Sequence, residues 1–237
     1  MKRFMALVSV FLATVIVCGL SACGNQDEIK EIEKPKTAAT SDQYEYVPAE
    51  NAVEESLNVN GMRFNMSLKD FTAAYNAEKY LRKETDMLDA ALWEADKKTE
   101  WDDHHIEVQY WHYNGNNMTL TASVEVNSGK LVNIGCGTTM SNFMGMTGDK
   151  NNSDIILSKA ALAAQVACGL PSESHAVLQD IFYRTTTETN DTLWYKGFVF
   201  CLNTKEDKND SKNNIMLFRV FPVKDKLKEE WNLTEYK

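Results

Sequence analysis

Residues 154–167 constrain the fold more than any other stretch of this chain. Ile155, Ile156, Leu157, Ala160, Ala161, Leu162, Ala163, Ala164, Val166 and Ala167 fall on nearly every side of a helical wheel. Such a helix has no face to give to water, so it must lie inside a larger fold. Ser153 supplies its N-cap, Gly169 a C-terminal stop and Pro171 a residue that cannot continue it. The alanines permit close approach to whatever packs over them, and the only apolar surface broad enough to do so is a sheet or a second helix.

The rest of the chain supplies that surface with period two. Met118, Leu120, Ala122, Val124 and Val126 alternate with Thr119, Thr121, Ser123 and Glu125, the pattern of a strand with one covered and one wet face. Upstream, Ile106, Val108 and Tyr110 alternate with Glu107, Gln109 and Trp111, and Asn114-Gly115-Asn116-Asn117 forms a turn. Downstream, Asn127-Ser128-Gly129-Lys130 turns the chain into a third strand carrying Val132, Ile134 and Cys136. Three further strands are expected over residues 176–188, 193–203 and 214–223, with a turn at Asn190-Asp191 and a charged loop over 205–213.

Ahead of the first meander, residues 57–66 read as two short extended pieces around Asn60-Gly61. Ser67 and Asp70 then make a capping box, and Met66 and Phe71 a hydrophobic staple. The helix they open carries Ala74, Ala77, Leu81, Leu88, Leu92 and Ala95 on one face, as one long helix or two broken near residues 83–86. Helix plus three strands thus occurs twice. The fold class expected is α+β, with antiparallel sheet and helices packed on one side. The globular domain spans 57–223, divisible into halves 57–138 and 153–223, and a tail over 224–237 carries a short surface helix around Trp231.

The N-terminus states an address. Lys2 and Arg3 precede an apolar run from Phe4 to Val17, the length of an export signal and too short for a membrane span. The run ends in Leu20-Ser21-Ala22-Cys23-Gly24, which resembles the lipobox of bacterial lipoproteins. That resemblance implies removal of residues 1–22 and acylation of Cys23. It also implies a lipid bilayer as partner and placement at the outer membrane or the cell surface, according to the envelope. Acyl chains contribute about 0.8 kcal/mol per buried CH2, so two or more anchor a protein without a spanning helix. Residues 23–56, rich in Glu, Lys, Asp, Ala and Thr, lack the apolar content to fold and read as a disordered tether.

Charge narrows the partners. The formal charge of −9 becomes −11 once the leader's two basic residues, Lys2 and Arg3, are removed. This balance excludes a nucleic-acid partner, which requires clustered Lys and Arg. Of five cysteines, Cys18 leaves with the signal and Cys23 is acylated. Cys136, Cys168 and Cys201 remain, allowing one disulfide at most or three buried thiols.

No phosphate-binding glycine loop, serine-hydrolase elbow or dinucleotide fingerprint is present, so no cofactor is implied. Two weak constellations remain. Asp102, Asp103, His104 and His105, with His112 on the adjoining strand, offer imidazole and carboxylate to a divalent ion, although adjacent strand residues point to opposite faces. The loop with Met140, Phe143, Met144 and Met146 is apolar and flexible, an adaptable contact for another envelope protein. Trp111 and Tyr113 form either an aromatic platform or a covered face. The functional expectation is a lipid-anchored envelope protein with a non-catalytic binding or structural role. The alternative is a metal-dependent or other hydrolytic enzyme using His104, His105 and His112.

Overall fold

A computed structural model describes residues 51–115, 118–145, 152–187, 192–207 and 213–237. Cys23 and the leader, most of the tether, and Met146 lie outside them. In chain order the elements are β1 (Val53–Glu55), β2 (Met62–Phe64), α1 (Leu68–Leu81), β3 (Trp93–Ala95), β4 (Glu100–Trp101), β5 (Glu107–Gly115), β6 (Met118–Glu125) and β7 (Lys130–Thr139). There follow α2 (Met140–Phe143), α3 (Asn152–Ala167), α4 (His175–Thr187), β8 (Thr192–Tyr195), β9 (Phe198–Lys205), β10 (Ile215–Pro222), α5 (Asp225–Glu230) and β11 (Thr234–Glu235).

The fold is α+β, and both meanders belong to one nine-stranded sheet, ordered β11-β8-β9-β10-β7-β6-β5-β3 with β4 also on β5. All its pairings are antiparallel except the short β8–β11 contact. The two halves meet where β10 pairs with β7, from Ile215 opposite Thr139 to Val220 opposite Ile134. The central strand β7 is buried along Leu131 to Thr138: it is paired on both edges, Leu131, Ile134 and Cys136 enter the core, and two of its residues on the other face, Gly135 and Gly137, carry no side chain.

Register sorts the side chains. Trp111 and Tyr113, Ala122 and Leu120, Ile134 and Cys136, Val220 and Phe218, and Phe200 and Leu202 occupy one face. All of them join a single core with α1, α3 and α4. Phe182 of α4 makes edge contacts with Phe200 and Phe218, at 5.5 and 5.7 Å between ring centres. The aromatic pair Trp111 and Tyr113 is therefore covered; Trp93 lies 5.5 Å from the Tyr113 ring.

Several expectations change. The stretch expected as a strand over 176–188 is the helix α4, whose Leu178, Ile181, Phe182 and Thr185 have helical spacing and are buried. The helix opened by Ser67 ends at Leu81, and Leu88, Leu92 and Ala95 lie beyond it, in a loop, a 3-10 turn and β3. Its capping box is present and Ala74 is buried as expected, but the buried face also takes in Leu68, Phe71, Thr72, Tyr75, Asn76 and Lys79, leaving Ala77 half-buried and Leu81 exposed. From this face the Lys79 ammonium reaches the carboxylates of Glu84 and Asp86. The ordered hairpin begins at β1, upstream of the expected boundary at residue 57, and Phe64 of β2 stacks on Phe198. The tail folds into α5 and β11, and Leu227, Trp231 and Leu233 pack over Val199, Trp194 and Phe221.

Candidate functional site

The sheet face turned away from α1, α3 and α4 is polar. One ladder row crosses seven strands: Glu94, His112, Thr121, Gly135, Arg219, Cys201 and Thr192 are successive cross-strand partners. Flanking rows place Tyr110, Ser123 and Asn133 on one side, and Thr119, Gly137, Leu217 and Asn203 on the other. The C-terminal segment covers the Val199 and Trp194 end of this face, while His112, Thr121, Leu217 and Arg219 are half-exposed.

Local partners fix most of these groups. Asn133 Nδ2 donates to Ser123 Oγ at 2.7 Å, and both side chains are buried. His112 Nε2 and Asp96 Oδ1 are 2.9 Å apart, and Gln109 Nε2 donates to the Asp96 carbonyl at 3.1 Å. Burial, helped by the Glu100 carboxylate that accepts its hydrogen bond, pushes the Tyr110 phenol up to about 12, with the nearby Arg219 charge opposing.

Arg219 is the exception. It stands in the middle of β10, opposite Gly135 on one side and Cys201 on the other. Its one hydrogen bond among the described residues is a long one, Nη1 to Asn203 Oδ1 at 3.5 Å, and no carboxylate pairs with it there. A guanidinium has five N–H donors in a planar fork. None of its nitrogens is among the buried polar atoms left without a partner, so the other donors of this half-exposed fork face solvent. Gly135 presents no side chain to it, and a Cβ there would meet Thr121 Oγ1 at 2.7 Å and the Phe218 carbonyl at 3.1 Å.

A second polar place lies among the helices. Ser158 Oγ of α3 is 3.0 Å from His175 Nε2 at the start of α4. Burial, reinforced by the Arg82 charge, holds the His175 imidazole below its ordinary value, against a smaller opposing pull from Glu84. The neutral ring can accept the Ser158 proton, which is half of a nucleophile–base arrangement. The orienting third group is missing among the described residues, since His175 Nδ1 is buried without a partner.

The sequence-derived sites fare unevenly. His104 sits at a turn with Nδ1 3.2 Å from the Leu57 carbonyl, His105 adopts a φ of 61°, and His112 is held by Asp96. Among the described residues no three His, Cys, Asp or Glu side chains gather into a metal-binding group. Asp102 instead ties the N-terminal hairpin down, accepting from the Val59, His104 and Ile106 amides. In the apolar loop, Phe143 turns inward, 8% exposed and 5.8 Å from the Phe218 ring, and Met140 packs partly against the core. Met144 is exposed. Cys136, Cys168 and Cys201 are buried and form no disulfide with one another, and burial pushes the Cys136 thiol up to about 12.

Sequence reasoning passed over Arg219, Asn203 and Asn133. The signal was present in Leu217-Phe218-Arg219-Val220-Phe221: a lone cation at the centre of an otherwise apolar strand. No family model, curated protein or solved structure matches this chain.

Proposed function

We propose that this chain is a lipid-anchored cell-envelope protein with a non-catalytic binding role, and that the polar face of its sheet is the binding surface. The anchor in this reading is acylated Cys23, carried by the lipobox-like Leu20-Ser21-Ala22-Cys23, and the tether behind it gives the domain reach above the bilayer. The observation that carries the binding role is Arg219, a half-buried cation without a carboxylate partner among the described residues, with the Thr121 hydroxyl in its own ladder row and the Asn133 and Asn203 amides in the flanking ones. A face that meets a partner gains a charge-assisted hydrogen bond when the partner arrives.

Two experiments test the reading separately. Cys23→Ser should remove the lipid and move the protein out of the detergent phase on phase partitioning; retention there overturns the anchor. For the face, a photo-crosslinking amino acid placed at Thr119 in intact cells should give an adduct that Arg219→Gln abolishes. The same probe at Tyr183, on the exposed side of α4, should give none. Equal adducts at both positions, or an adduct indifferent to Arg219, overturn the binding surface.

A further inference from the structure

We infer that residues 44–48, Tyr-Glu-Tyr-Val-Pro, add to the free edge of β1 as a further strand and fill the cavity beside it. The inference goes beyond the proposed function and concerns the N-terminal hairpin. Within that hairpin the Asn65 amide donates to the Ala52 carbonyl and the Ser56 amide to the Gly61 carbonyl, in a register that sets Glu54 opposite Arg63. The backbone groups of Ala52, Glu54 and Ser56 therefore face β2, and those of Val53 and Glu55 face away. Among the described residues no strand pairs with that outer edge, and the Val53 and Glu55 amides and carbonyls have no hydrogen-bond partner. An unpaired edge is a template for another extended segment.

Beside that edge lies a cavity of about 440 Å³, walled by Val53, Met62, Leu170, Pro171, Phe198 and Val223. Two lysines, Lys196 and Lys224, and two carboxylates, Glu55 and Asp225, stand around it, and Lys224 is paired with Glu55 at 2.8 Å. These charges balance, so burial of apolar surface selects the occupant. Val53 and Glu55 both line the cavity, and in a strand paired with β1 every second side chain falls on their face. Tyr44, Tyr46 and Pro48 have that spacing, in the densest apolar cluster between Gly24 and Asn51. Pro48 precedes Val53 by five residues, which allows an antiparallel return through residues 49–52 with Tyr46 opposite Glu55. Opposite Val53, Pro48 has no N–H to give, but its carbonyl can accept from the Val53 amide. A segment joined by so short a link acts at millimolar effective concentration, which a second copy or a free ligand must outcompete. Docking leaves residues 24–43 as the free tether, whose r.m.s. reach is roughly 25 Å.

The test is amide hydrogen exchange, read by nuclear magnetic resonance on the full chain in neutral detergent micelles at Val53, Glu54 and Glu55. In wild type the Val53 and Glu55 amides should exchange about tenfold or more slowly than in the double variant Tyr44→Ser/Tyr46→Ser. Glu54, whose amide faces β2, should exchange alike in both. The two substitutions lie upstream of the described core, so the variant tests docking without disturbing the domain. Unprotected Val53 and Glu55 amides in wild type, or equal rates in the two proteins, overturn the inference. Benzoylphenylalanine in place of Tyr46 then identifies the contact. Irradiation should link it to peptides carrying Met62 or Leu170 of the same copy, read by mass spectrometry on a mixture of isotopically labelled and unlabelled protein. Links between labelled and unlabelled copies assign the cavity to a second copy, and links to neither Met62 nor Leu170 place the segment elsewhere. Either result overturns the inference.

Discussion

Gly135 and Gly137 sit two residues apart on β7, on the same face and both without a positive φ, so adding a methyl group to each isolates the effect of space. At Gly137 the new Cβ would find the Thr119 carbonyl at 3.5 Å and Leu217 Cδ1 at 3.6 Å, ordinary van der Waals contact. At Gly135 it would find Thr121 Oγ1 at 2.7 Å, with Leu217 Cδ1 and the Phe218 carbonyl both at 3.1 Å. Thr121 and Leu217 have some freedom to turn aside. The Phe218 carbonyl belongs to the neighbouring central strand and has none. Gly→Ala without strain stabilises by about 0.4–1 kcal/mol through the unfolded chain. Overpacking a filled site costs about 1–3 kcal/mol. Gly137→Ala should therefore be neutral or slightly stabilising, and Gly135→Ala destabilising by about 1–2 kcal/mol. Urea titration followed by circular dichroism should separate the two variants by about 2 kcal/mol at unchanged m-value. Heating should separate their midpoints by about 4–8 °C in a domain of this size. Thr121→Ala removes the nearest clashing atom, so in the double variant part of the cost, about 0.5–1 kcal/mol, should return as coupling. Equal stabilities of Gly135→Ala and Gly137→Ala would refute the placement of Thr121 and Leu217 over Gly135, and with it the surface on which Arg219 rests.

The apolar loop after β7 divides by exposure. Phe143→Ser, at a buried ring packed on Phe218, should cost about 3 kcal/mol in urea unfolding, while Met144→Ser should stay within about 0.5 kcal/mol of wild type. Only Met144→Ser can therefore report on a contact made by this loop without also reporting on the core. Because the folded pKa of His175 is depressed, its stabilising contribution is complete above the unfolded value near 6.5 and is lost as pH falls through the folded value. Urea midpoints at pH 7.5 and 5.5 should show that loss in wild type, and a smaller one in His175→Gln; equal losses would place the titrating group elsewhere. Lys79→Met should leave stability at pH 7 within about 1 kcal/mol, since a buried cation becomes an apolar chain and the half-exposed Glu84 and Asp86 can hydrate. Burial resists ionisation of Asp86, but the Lys79 hydrogen bond and charge outweigh it, so its pKa lies below the ordinary value. Its contribution is present above the unfolded pKa and lost as pH falls through the folded one. Lys79→Met should therefore also weaken the acid sensitivity of unfolding below about pH 4.

What the sequence disclosed follows from how local each determinant is. The alternation in β6 and the largely apolar α3 are properties of neighbouring residues, and the structure has both elements, although Ser123 and Glu125 of the expected wet face are buried and Ile155 of α3 is exposed. The capping box of Ser67 and Asp70 closes within four residues and was equally legible. The helix α4 was not, because Val177, Ile181 and the threonines at 185–187 favour strand locally. Packing overrides them. Phe182 reaches Phe200 and Phe218 only from a helix, and the Thr185 and Thr186 hydroxyls bond back to the carbonyls of Phe182 and Tyr183. The face of α1 was misjudged for a similar reason: a lysine scores as surface, and only Glu84 and Asp86, beyond the helix end, allow Lys79 to face inward.

The polar face is harder still to read, because its central row unites residues from β3, β5, β6, β7, β8, β9 and β10, and no two of them are neighbours in sequence. Period two reveals that a strand has two sides. It does not reveal that the wet side of β6 continues onto β10, since that depends on the single pairing that joins the two meanders, Gly135 opposite Arg219. A lone arginine in an apolar strand can be a salt-bridged core residue, an edge charge that blocks aggregation or a ligand contact. The register decides among these. β10 is paired on both sides, so Arg219 guards no edge, and it has no ion pair among the described residues, so it closes no internal bridge. What remains is a half-exposed cation whose one hydrogen bond among the described residues goes to Asn203.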